Sequence, residues 1–142
     1  MKKTGNLERC IREADQFLRV AIYCREENKK SPFALIYPLF VNAALACELY
    51  LKAIMIKESP DATFESGHDI SDLFGKVNSN AQSCIQNNYK KKGIYISLND
   101  LLLRYGNSFV DWRYSFENGS EGNYIGIIGF AESLKEYLST VV

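Results

Sequence analysis

A chain of 142 residues is the length of one domain, and a globular chain of this size buries roughly 68–70% of its unfolded surface without staples. Its 46% hydrophobic and 24% charged residues exclude a disordered or fibrous chain. Seventeen Lys and Arg balance seventeen Asp and Glu, which excludes a protein that holds nucleic acid or a membrane surface by bulk charge, though not one with a local basic patch.

The 3.6-residue period predicts five helices. The first runs from about Thr4 to Asn28, with Leu7, Ile11, Ala14, Phe17, Leu18, Ala21 and Cys24 on one face. Glu8, Arg12, Asp15, Arg19 and Glu26 form a solvated opposite face. Lys29 and Lys30 close it, where cations suit the helix dipole. A second helix is expected to open at Ser31-Pro32, an N-cap followed by proline. Pro38 should kink that helix or delay its true start. From Phe40 to Ile56 the segment is apolar nearly all round, the pattern of a helix surrounded by protein, either at the centre of a bundle or in an oligomer interface. Its uncharged stretch, Ser31 to Cys47, is interrupted by Pro32, Pro38 and Asn42 and falls short of the roughly 20 residues of a membrane span. No membrane partner is expected.

Ser59-Pro60-Asp61 breaks the chain, and Ser66-Gly67-His68-Asp69 reads as a capping box. It opens one continuous third helix through Ile70, Leu73, Phe74, Val77, Ala81, Cys84 and Ile85, which Lys90-Lys91-Lys92-Gly93 ends. Ile94-Tyr95-Ile96 could form a strand, but one without a partner. A second capping box, Ser97-Leu98-Asn99-Asp100, opens the fourth helix, whose stripe is Leu98, Leu101, Leu102, Tyr105, Phe109, Trp112 and Phe116. Asn118-Gly119-Ser120 stops it. The fifth, from about Asn123 to Thr140, uses Tyr124, Ile127, Ile128, Ala131, Leu134 and Leu138. Gly126 and Gly129 cost it about 1 kcal/mol each relative to alanine, so they permit close packing or mark an extended start. Repeats and linkers are absent from the sequence. The reading is one all-α domain over residues 1–142.

Cys10, Cys24, Cys47 and Cys84 lack the spacing of a zinc site, and each falls in an apolar helical pattern, as buried free thiols do. Polar residues follow Met1-Lys2-Lys3 where a secretory signal would be apolar. A cytoplasmic protein with no disulfides, no metal and no cofactor is expected.

Few residues offer chemistry. Glu48 and Lys52 are the only charges between Ser31 and Ile56 and lie four apart on one face. A carboxylate on such a helix needs partners, so the pair either fixes the helix register or marks a polar pocket. Lys52 cannot satisfy both carboxylate oxygens, which predicts a second partner among Arg113, Tyr114 and His68. His68 is the sole histidine, which leaves no multi-histidine metal site within one chain. Beside Asp69 at a helix start, it reads as a capping or packing residue rather than an acid–base group. In Asp111-Trp112-Arg113-Tyr114-Ser115-Phe116-Glu117, Arg113 and Glu117 share a face, Trp112 and Phe116 belong to the core stripe, and Arg113 and Tyr114 therefore sit at the core boundary, within reach of Glu48. Arg113 there is a structural partner or an anion-binding group. A small-ligand pocket lined by Tyr37, Tyr50, Trp112 and Tyr114 is a further reading. Phosphate loops, nucleophile elbows and a basic recognition helix are all missing from the sequence.

Asn42-Ala-Ala-Leu-Ala-Cys-Glu48-Leu-Tyr-Leu-Lys52-Ala, Gly67-His68-Asp69-Ile70 with Leu73-Phe74, and Trp112-Arg113-Tyr114 with Glu117 resemble bacterial members of the HEPN superfamily over about residues 5 to 140. The resemblance implies an up-and-down bundle of four to five helices, a homodimer, and a toxin–antitoxin or phage-defence setting, commonly beside a nucleotidyltransferase partner. Active members are metal-independent ribonucleases with an arginine, four to six intervening residues and a histidine. Here the matching positions hold Asn118, Gly119 and Ser120 after Arg113, and Phe109, Val110 and Asp111 after Arg104. The expectation is therefore a non-catalytic module that binds RNA, a nucleotide or a partner protein. Its polar or binding set is Glu48, Lys52, His68, Asp69, Arg113, Tyr114 and Glu117. The alternative is a metal-independent ribonuclease with a rearranged site around Arg113 and His68.

Overall fold

Helix α1 (Lys3–Lys30) buries Ala14, Leu18, Ala21 and Cys24, the face its periodicity marks, and leads into a tight turn. The computed structural model describes residues 3–32, 34–60, 69–105 and 123–142. Among these there is no strand, so the chain is all-α, and Ile94-Tyr95-Ile96 is an irregular connection instead.

Helix α2 (Ile36–Glu58) starts later than the Ser31-Pro32 cap suggests. A helix starting at Pro32 would place Pro38 in its second turn, where the missing N–H and the ring both break the ladder. Starting at Ile36 puts Pro38 in the first turn, where no N–H partner is needed. The turn is held by Asn28 at the end of α1, whose Oδ1 accepts the Leu35 N–H at 2.8 Å. Asn28 is buried, a polar residue on the inner side of the hairpin.

Helix α2 is the centre of the molecule, packed chiefly on α1 and on the last helix, α6 (Asn123–Val141). By length and hydropathy alone α2 would pass for a membrane span, yet 67% of its most apolar window is buried inside the protein. The apolar-all-round pattern thus finds its explanation in the bundle itself.

The third predicted helix is two. Helix α3 (Ile70–Lys76) is capped by Asp69, whose carboxylate accepts the Asp72 N–H at 3.1 Å. Of the predicted Ser66–Asp69 box, residues 66–68 lie outside the described residues. The chain then extends through Val77 and Asn78, and helix α4 (Ser79–Lys91) restarts with Asn78 Oδ1 accepting the Ala81 N–H at 2.8 Å. Glu58 at the end of α2 takes the Asn78 N–H on both carboxylate oxygens, at 3.0 and 3.2 Å. Gln82 closes the break from the other side, donating to the Val77 carbonyl at 2.8 Å. Ala81 and Ile85 are buried as the stripe predicts and Tyr89 joins them, whereas Cys84 is exposed, contrary to its expected place in the core.

Gly93, at φ +68°, ends α4 in the left-handed conformation that glycine adopts without strain. Helix α5 (Leu98–Tyr105) opens as expected, Ser97 Oγ accepting the Asp100 N–H at 3.1 Å. The predicted fourth-helix stripe beyond Tyr105 falls outside the described residues. Helix α6 is helical from Asn123 onward, so its glycines serve close approach. A Cβ at Gly126 would lie 2.9 Å from Leu101 Cδ1, and one at Gly129 would overlap Ile94. Phe130 of α6 is fully buried and meets Phe74 of α3 edge to face, centroids 5.5 Å apart at 83°.

Candidate functional site

Among the described residues the long helices α1, α2, α4 and α6 enclose the core, and its buried polar residues are Asn28 of α1, Glu48 of α2 and Ser133 of α6. Glu48 is 5% exposed, and Lys52 one turn on bonds its Oε2 at 2.9 Å. The two charges that interrupt the apolar run do meet inside the protein, and Lys52 is not the only interaction Glu48 makes. Arg113, Tyr114, His68 and Glu117, together with Trp112, lie outside the described residues. Asp69 is engaged in capping α3, so its role in the polar set is that of a helix cap.

The opposite side of α2 carries a second polar contact that the sequence did not reveal. Tyr50 is fully buried, and its hydroxyl donates to Asp15 Oδ1 of α1 at 2.5 Å. Lys135 of α6 approaches the same oxygen at 3.6 Å. Asp15 had been placed on the solvated face of α1, and no local spacing links it to a tyrosine thirty-five residues away. The tyrosine-lined pocket is corrected by the same geometry. Tyr37 is exposed and Tyr50 fully buried, and thirteen residues of helix separate them by roughly 20 Å. They do not face one cavity.

No thiol in the described core is set up as a nucleophile. Burial pushes the Cys24 and Cys47 thiols up, and Cys47 donates to the Ile127 carbonyl at 3.6 Å. Burial also raises Cys10, helped by Glu13 and opposed by Lys52 and Arg9. Among the described residues no three His, Cys, Asp or Glu side chains converge as metal ligands would.

Two buried tyrosines give the fold an alkaline limit. Burial and then the bond to Asp15 push Tyr50 well above the ordinary tyrosine range. Burial, with Tyr95 nearby, pushes Tyr89 up to about 12. Both are raised in the folded state, so their contribution is fully present below the unfolded value near pH ~10 and is lost as pH rises from there through the folded values. Urea midpoints measured from pH ~9 to ~11.5 should therefore fall, and less steeply in Tyr89→Phe. A midpoint that stays flat across that window would refute the assignment.

A bundle of this kind, with a buried ion pair at its centre and no assembled acid–base group among the described residues, belongs to the all-α helical domains. The chain is a member of the HEPN domain family, whose model matches residues 7–140. Searches of curated proteins and of solved structures found no match. Membership links the chain in general terms to nucleotide- or RNA-related function.

Proposed function

We propose that this protein is a non-catalytic HEPN module that binds RNA, a nucleotide or a partner nucleotidyltransferase, and acts as a homodimer in the cytoplasm within a toxin–antitoxin or phage-defence system. One observation carries the non-catalytic part. With His68 the sole histidine, an arginine separated from it by four to six residues would have to stand at 61, 62 or 63, and those positions are Asp61, Ala62 and Thr63. The ribonuclease motif of active relatives therefore occurs nowhere in the chain. Purified protein incubated with a mixed RNA pool without added metal should leave it intact. Cleavage that Arg113→Ala abolishes would overturn this reading and establish the rearranged ribonuclease.

The dimer is supported by the α1–α2 hairpin. Val20 and Tyr23 of α1 and Tyr37 and Val41 of α2 are 39–60% exposed, all in the half nearest the turn. Large apolar side chains on one end of a hairpin suit burial against a second copy. Size-exclusion chromatography with light scattering should report a dimer for the wild type and a monomer for Val20→Lys/Tyr23→Glu. A wild-type monomer at tens of micromolar removes the dimer from the proposal.

A further inference from the structure

The connection between α4 and α5 holds a cleft of about 420 Å³, within the usual range of small-ligand sites (~300–1,000 Å³). Tyr89, Ile94 and Leu98 contribute apolar surface to it, and Gln86, Lys90, Tyr95, Ser97 and Asn99 contribute polar groups. The tyrosine is the unusual member. Ile94 packs over Gly129, and Ile96 over Gly126, each occupying space that a side chain on α6 would need. The Tyr89 hydroxyl donates to the Ile96 carbonyl at 2.8 Å, which fixes the same strip of backbone. Tyr95, between two anchored isoleucines, is held outward at 75% exposure. Core packing does not account for an aromatic ring presented in this way.

The described lining of the cleft carries positive charge only. Among the described residues Lys90 is the only ionised side chain lining the cleft, with Lys91 next to it in sequence and Asp100 next to Asn99. Neither lysine makes an ion pair among the described residues, whereas Lys92 is bonded to Glu136 at 2.8 Å. Gln86, one turn before Lys90 on the same face of α4, and Asn99 across the cleft add two carboxamides, each able to donate and accept. A flat ring, a cation and carboxamides suit a ligand with a planar, hydrogen-bonding heterocycle and a negative charge beside it.

We propose that this cleft binds a nucleobase with its attached phosphate, the base stacked on Tyr95 and the phosphate at Lys90. The assignment rests on the nucleotide- or RNA-binding part of the proposed function and gives it a location apart from Glu48 and Lys52. The shared chemistry could come from a free nucleotide or from single-stranded RNA, and two probes separate them: adenosine monophosphate followed by NMR, and a short labelled single-stranded RNA followed by fluorescence anisotropy.

Tyr95→Ala should weaken binding roughly tenfold, in line with loss of one stacked base, while Tyr95→Phe keeps it. Lys90→Ala should lower the slope of log affinity against log salt by roughly 0.7 for the RNA probe, the share of one phosphate. Both side chains are exposed, so the variants test the ligand and not the fold. Saturable, Tyr95-dependent binding of the mononucleotide supports a free-nucleotide site, and the same dependence for RNA alone supports a single-strand site. If Tyr95→Ala and Lys90→Ala bind both probes as the wild type does, the cleft assignment is overturned and the nucleotide- or RNA-binding reading stands. If the wild type binds neither probe, both fall.

Discussion

Lys52→Met is expected to destabilise the protein by roughly 3–5 kcal/mol, the cost of removing one partner from a buried ion pair. The magnitude follows from the carboxylate left behind. Glu48 is 5% exposed, and a buried anion that loses the Lys52 ammonium pays a desolvation penalty that its remaining contacts offset only in part. Methionine keeps most of the lysine stem, so the loss is electrostatic rather than a cavity. The double variant Glu48→Gln/Lys52→Met removes both charges and should recover most of the loss, giving a large coupling in a double-mutant cycle. Thermal melting is the readout, at roughly 2–4 °C per kcal/mol for a domain near this size. A single variant that melts with the wild type would show the carboxylate to be hydrated and the pair to be incidental.

Phe130→Ala should cost a similar ~3–5 kcal/mol for a different reason. Phe130 is fully buried, and its ring is edge-on to Phe74, which joins α6 to α3. Truncation opens a cavity where two helices meet, and close-packed neighbours relax into it only partly. Phe74→Leu keeps most of the volume and loses mainly the aromatic pair, worth about 0.5–1.5 kcal/mol. Urea midpoints should rank wild type, Phe74→Leu, then Phe130→Ala. An equal loss in the two variants would mean that the ring pairing, not burial, dominates.

The long helices were legible because each keeps one periodic face. In α1, Ala14, Leu18, Ala21 and Cys24 are buried as the spacing says, and in α2 the near absence of a polar face announces its central position. Glu48 and Lys52 were legible for the complementary reason, as the only charges in an apolar run. The break at Val77–Asn78 was not. Val77, Ala81 and Ile85 continue a helical stripe across it, and the group that receives the freed N–H, Glu58, is twenty residues upstream. Asn78-Ser79-Asn80 was the available signal, a cluster of residues that cap helices. The Tyr50–Asp15 contact left no trace in the sequence, because a carboxylate on a polar face looks the same whether or not a hydroxyl reaches it. The cleft at Tyr95 was hidden likewise: its shape depends on two glycines of α6 receiving two isoleucines from a loop some thirty residues earlier.

The central position of α2 also bears on how the chain is made. Helix α2 ends at Glu58, but α6, which covers one of its sides, begins only at Asn123. At ~5–20 residues per second, a ribosome leaves that interval open for roughly 3–13 s. During it the nascent chain carries a hairpin whose second helix has the length and hydropathy of a membrane span, with one side still facing water. Docking of the last helix is what closes that side, so the apolar core of the molecule is completed only by its final segment.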